Sequence, residues 1–156
     1  MLIQADVMQP TRVGAVLLIR KDGAVLMQHR DVKPDIQRPG MWVPPGGHAE
    51  PNEDMQSCAK REFLEETAYN CSNLKFLAEF EDHVLGWPPS RISVYCENYD
   101  GKQHFKCLEG QNLKFINREK ADLYDIPKII FKVWDLALDT AKNSKYYNQC
   151  LKENEK

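Results

Sequence analysis

The chain has 156 residues, 42% of them hydrophobic and 28% charged, the size and balance of one globular domain able to bury a core. A formal charge of -2 gives no overall attraction for polyphosphate or anionic lipid, and no basic patch is legible, so no nucleic-acid partner is expected. No run approaches the ~18 apolar residues of a membrane span and the start MLIQADVMQPTRVG carries no leader pattern, so the expectation is a cytoplasmic protein with no membrane partner and a small substrate.

Taken in chain order, Arg12 to Ile19 and Ala24 to His29 are apolar, β-branched runs separated by Lys21-Asp22-Gly23, and the Asp-Gly pair predicts a β-hairpin. Val32 to Gly40, with Pro34, Pro39 and Gly40 among charged residues, reads as a surface loop. Met41-Trp42-Val43 predicts a short strand that enters a glycine loop at Pro44-Pro45-Gly46-Gly47. A helix follows over about residues 53–67. Asn52 is its expected N-cap, Glu53 and Asp54 suit the positive helix start, and Met55, Cys58, Ala59 and Phe63 form the apolar stripe.

Leu74 to Val84 and Arg91 to Tyr99 alternate as strands around the loop Gly86-Trp87-Pro88-Pro89, and Leu113 to Ile116 is a further short strand. After Pro127, the residues Ile129, Ile130, Val133, Trp134, Leu136, Ala137, Leu138 and Ala141 carry helical spacing. Residues 142–156 form a polar tail or an extension of that helix, and the whole of 1–156 reads as a single domain. This order predicts an α+β fold in which a mixed sheet is sandwiched between helices, an α/β/α arrangement.

Five cysteines, Cys58, Cys71, Cys96, Cys107 and Cys150, show no Cys-x-x-Cys pair and read as reduced packing residues. The acids are less ordinary. In Arg61-Glu62-Phe63-Leu64-Glu65-Glu66-Thr67-Ala68 a helix brings Glu62 beside both Glu65 and Glu66, and like charges at that spacing cost about 0.2–0.5 kcal/mol per pair. Either the face is merely solvated or a positive group sits against it.

The wider spacing decides between these. Gly47, five residues, Glu53, seven residues, Arg61-Glu62, an apolar residue, one more, then Glu65-Glu66 resembles the Nudix signature from Gly47 to Tyr69. One position departs from it: Ala68 stands where the family has glycine. Ala68 must therefore stay helical and move the helix stop to Asn70, or accept a left-handed backbone at a cost of about 1 kcal/mol.

The resemblance implies a hydrolase cleaving the diphosphate bond of a small phosphorylated nucleotide substrate. Glu62, Glu65, Glu66 and the Gly46 carbonyl would hold Mg2+, a hard cation that takes oxygen ligands, with Mn2+ as the alternative. Arg61 and Glu53 would form a supporting pair that orients these carboxylates. Glu109-Gly110-Gln111 looks like the Glu-Gly-Gln segment of MutT-type members, which makes Glu109 a fourth carboxylate acting on the metal or the attacking water, unless it is simply an exposed turn. Which glutamate takes the proton stays open. For the substrate pocket the candidate aromatic residues are Trp42, Phe80, Trp87 and Tyr95. The asparagine that oxidised-guanine-specific members carry near the last helix is missing from Asp125-Ile126-Pro127-Lys128-Ile129-Ile130. A catalytically silent nucleotide-binding protein is the competing reading, as is the choice between monomer and homodimer.

Overall fold

The structure is a computed structural model that describes residues 10–140, so the expectations for Ala141, for 142–156 and for Cys150 fall outside the described residues. Strands β1 (Thr11–Ile19) and β2 (Val25–His29) form the expected antiparallel hairpin, closed where Asp22 Oδ1 accepts from the Ala24 amide at 3.1 Å. The seven-stranded sheet runs β3 (Trp42–Val43), β2, β1, β6 (Ser90–Asn98), β5 (Lys75–Asp82), with β4 (Gly46–His48) on β1 and β7 (Asn112–Ile116) on β2. Among the described residues only the central pair is parallel. β1 matches β6 residue for residue from Thr11 opposite Ser90 to Ile19 opposite Asn98, and every other pairing is antiparallel.

A helix covers each face of this sheet, which explains why β1 reads as a continuous apolar run rather than an alternating one. Val16 and Leu18 pack with Leu26, Tyr95 and the first helix's Ala59 and Phe63. Their neighbour Leu17 points the other way, into a core of Val25, Met27, Val94, Ile116 and the second helix's Ile130, Val133, Trp134 and Ala137. That helix, α2, spans residues 128–140 as described, beginning directly after Pro127. The sandwich is the α+β architecture expected. A six-residue 3-10 helix, Arg118–Leu123, links β7 to α2 and had no signal in the sequence pattern. Among the described residues no helix is long and apolar enough to cross a membrane.

Helix α1 (Met55–Thr67) differs from expectation at its N-terminal end and stops at the expected residue. Its N-cap is Asp54, not Asn52: the Asp54 carboxylate accepts from the Ser57 amide at 3.0 Å, whereas Asn52 lies in the preceding turn at φ 65°. At the other end Ala68 takes the left-handed conformation, φ 65° and ψ 9°, and its amide donates to Leu64 O at 2.9 Å. The helix thus stops where a glycine would have stopped it, and the strained alternative is the one adopted. Cys58 and Cys71 are buried packing residues whose thiols burial pushes up to about 11 and about 12, whereas Cys107 is exposed.

Candidate active site

The stretch expected to be a glycine loop is instead strand β4, paired antiparallel with β1 in the register Ala15 opposite Gly46 and Gly14 opposite Gly47. The Val16 amide donates to Pro45 O at 3.1 Å and the Ala49 amide to Arg12 O at 2.9 Å, which points the odd-numbered residues of β4 into the ladder. Gly46 therefore turns its own N–H and C=O away from β1, towards the C-terminal half of α1. There its amide donates to Glu66 Oε2 at 2.9 Å. Both glycines sit at close approaches, Gly46 to backbone and Gly47 to a side chain. A Cβ on Gly46 would lie 2.3 Å from Gly14 O, and one on Gly47 would lie 2.3 Å from Glu62 Oε2.

Arg61 organises the acids on the outer side of α1. Its guanidinium donates to both oxygens of Glu53 at 2.8 Å, to Glu62 Oε1 at 2.8 Å, to both oxygens of Glu65 at 3.3 Å and to the His48 carbonyl at 3.1 Å. The hydrogen bonds from Arg61, then the Glu50 amide, hold the Glu53 carboxyl down at about 2. Arg61 so links α1, β4 and the turn before α1 in one fork-shaped contact.

Glu66 sits apart from this set and is only 5% exposed. Burial pushes its carboxyl up to about 10, and hydrogen bonding and charge from Glu109 push in the same direction. Glu109 is brought there by backbone: the Leu108 amide donates to Glu66 O at 3.0 Å and the Lys106 amide to Thr67 O at 2.9 Å, satisfying the last carbonyls of α1. Gln28 Nε2 then donates to Glu109 O at 3.2 Å.

The carboxylates consequently fall into two neighbouring sets, Glu62 and Glu65 on Arg61, and Glu66 beside Glu109, with the Gly46-Gly47 backbone between Glu62 and Glu66. Among the described residues no three His, Cys, Asp or Glu side chains form a closed metal cage. The donor set nonetheless fits a hard divalent cation: a buried acid crowded by another acid lacks a positive partner, while an oxygen-rich surround is what such a cation prefers.

On the other side of Gly46 opens a cavity of about 330 Å³. Its walls are mostly apolar, among them Val43, Pro44, Phe80, Trp87 and Ile92, and its polar groups include Gln28, Arg30, Arg38 and Asp82. Two of the four expected aromatic residues, Phe80 and Trp87, are therefore at the cavity. The other two do not line it. Tyr95 follows the cavity-lining Val94 on β6, so it faces the α1 layer, where it is 7% exposed. Trp42 is stacked on His29 at 4.5 Å and edged by Tyr124 at 5.5 Å, and it packs against the α2 core. Gln28, Arg30, Arg38 and Asp82 were not singled out from the sequence. They come from three separate segments, and the only local signal was the charged character of the 32–40 loop.

The sequence profile of the NUDIX domain matches residues 8–132. The chain belongs to the NUDIX family. Over 60 residues it is 38% identical to the m7GpppN-mRNA hydrolase NUDT17 of Danio rerio, a stretch covering 38% of this chain and 20% of that protein. The match thus spans about a fifth of that relative's length. In three dimensions the NUDIX chain resembles the MutT protein of Methanosarcina mazei Go1, with a TM-score of 0.73 and 17% identity over 86% of this chain and 98% of that one. It also resembles a C. elegans Ap4A hydrolase, with a TM-score of 0.71 and 18% identity over 85% and 98% of the two chains. At these identities the structural likeness is one of fold.

Proposed function

We propose that this NUDIX chain is a divalent-metal-dependent hydrolase that cleaves the diphosphate linkage of a nucleotide or nucleotide derivative. The observation that carries the reading is the buried Glu66, held by the Gly46 amide and crowded by Glu109, with a largely apolar cavity on the other side of Gly46. Glu62, Glu66, Glu109 and the Gly46 carbonyl, with Glu65 as a further ligand or base, would hold Mg2+ or Mn2+. Such an ion, when bound, supplies neutralisation of charge on phosphate oxygens.

The chain's own residues divide the remaining work. Arg61, gripped by Glu53 on both oxygens, orients Glu62 and Glu65 towards the glycine strand. Glu66 beside Glu109 is the carboxyl pair placed to accept a proton from the attacking water, because Glu109 raises the proton affinity of Glu66. The cavity holds the organic part of the substrate and keeps bulk water from it. Named substrates of its relatives, Ap4A and the m7GpppN cap of mRNA, are nucleotide anhydrides, which supports a nucleotide here.

The test is a panel of nucleoside triphosphates, dinucleoside polyphosphates, nucleotide sugars and an m7GpppN cap dinucleotide, incubated with Mg2+ or Mn2+, with products separated by chromatography. Release of a nucleoside monophosphate that stops on chelation is the expected result. No turnover of any member with either metal would favour a silent nucleotide-binding protein and reject the hydrolase reading.

A further inference from the structure

The 30–40 segment between β2 and β3 contains Arg38, a non-glycine residue held at φ 52°. An L-residue in that region is strained, and such strain persists where surrounding contacts hold it. Here the holding contact is with Asp82, the last residue of β5: Arg38 Nη2 donates to Asp82 Oδ1 at 2.6 Å. The two side chains are only 24% and 13% exposed, so the pair is withdrawn from most of the solvent that weakens surface ion pairs.

Both partners line the cavity, together with Phe80 and Trp87. The contact is also incomplete. One guanidinium nitrogen meets one carboxylate oxygen, and among the described residues Arg38 Nε and Nη1 and Asp82 Oδ2 have no hydrogen-bond partner. The pair therefore offers a donor and an acceptor side by side on an apolar wall.

We infer that the Arg38–Asp82 pair is the specificity determinant of this cavity, reading the polar edge of a planar nucleobase. The walls are mostly apolar between their polar groups, so a polyhydroxylated sugar would set hydroxyls against apolar surface, and an acyl chain would leave the pair's spare groups buried without partners. A heterocyclic base satisfies both demands: its faces lie on Phe80 or Trp87, and its edge carries adjacent donors and acceptors that match a carboxylate and a guanidinium. This rests on the reading of the chain as a nucleotide hydrolase and names the part of the substrate the cavity selects.

The experiment measures binding without metal or turnover. AMP, GMP, CMP and UMP are titrated calorimetrically against the whole chain, with ribose 5-phosphate as the base-free reference. At least one nucleotide should bind about tenfold or more tightly than the reference, since hydrogen bonds to charged groups contribute on that scale. Arg38→Met and Asp82→Asn should each erase that advantage. The charge swap, Arg38→Asp with Asp82→Arg, separates recognition from mere bracing: it should recover the melting temperature lost in the single variants without recovering the nucleotide advantage. Single variants that keep the advantage, a swap that restores it, or a wild-type chain with no base preference would each overturn the inference. A chain that binds a nucleotide with this dependence but cleaves nothing refutes the hydrolase reading alone; one that cleaves with no base preference refutes the specificity reading alone.

Discussion

Ala68→Gly should stabilise the protein, and the size of the gain follows from the backbone. Ala68 ends α1 at φ 65° and ψ 9°, where its Cβ crowds the following carbonyl at a cost of about 1–2 kcal/mol. Glycine removes that crowding but brings a more flexible unfolded chain, which returns about 0.4–1 kcal/mol. The balance is a gain of about 0.5–1 kcal/mol. The capping hydrogen bond is backbone to backbone, from the Ala68 amide to Leu64 O at 2.9 Å, so the substitution leaves it in place. Equilibrium urea unfolding is the assay: with a slope of about 2 kcal/mol per M, the midpoint should rise by about 0.3–0.5 M at unchanged slope. Ala68→Val serves as the opposite control, because a β-branched side chain fits the left-handed region worse and should lower the midpoint. An unchanged or lower midpoint for the glycine variant would show that residue 68 is not left-handed in solution and that the helix ends elsewhere.

Glu66→Gln should leave the fold intact and cut metal-dependent product release by at least about 100-fold, since it removes a charged oxygen from the centre of the site. The same variant tests the Glu66 proton. Its carboxyl is raised from 4.5 to about 10 in the metal-free protein, so the folded form keeps a proton that the unfolded chain gives up. That contribution to stability is complete below pH 4.5 and is lost as pH rises towards 10, with a limiting slope of about 1.4 kcal/mol per pH unit. Glutamine has no proton to lose, so melts in chelator should show Glu66→Gln gaining on the wild type between pH 5 and pH 8; parallel curves would rule out the raised carboxyl. The paired glycines should respond differently to alanine. Gly46→Ala drives a methyl into the Gly14 carbonyl and should cost about 1–3 kcal/mol by urea unfolding. Gly47→Ala meets only the movable carboxylate of Glu62, so stability should fall by less than about 1 kcal/mol while turnover drops about tenfold or more.

Much of the site could be read without coordinates because its chemistry is local. Glu62, Glu65 and Glu66 share one helix with Arg61, and helical spacing alone puts them within reach of one another. Glu53 lies eight residues before Arg61, yet the turn ahead of α1 folds it back into a two-oxygen grip. The hairpin and both helices were equally legible, since turn chemistry and apolar periodicity are properties of short segments. Some local choices were misjudged. The capping residue moved from Asn52 to Asp54 because the cap is set by which side-chain oxygen reaches an amide three residues on, a matter of backbone angle.

The remainder depended on contacts between distant segments. Pairing of Gly46 and Gly47 with β1 turned an expected loop into a strand, and that pairing is what aims the Gly46 amide at Glu66. The fate of the aromatic residues was settled by which face of the sheet each side chain occupies: Phe80 and Trp87 reach the cavity, while Tyr95 and Trp42 are taken up in packing. Arg38 and Asp82 are 44 residues apart and carry no shared pattern, and they meet only because β5 ends opposite the β2–β3 loop. The sequence by itself thus determined the acid-bearing helix and the family, through spacings within about twenty residues. Tertiary structure alone decided which of those acids is buried, and what lines the cavity beside it, because burial and long-range pairing come from how the sheet is assembled.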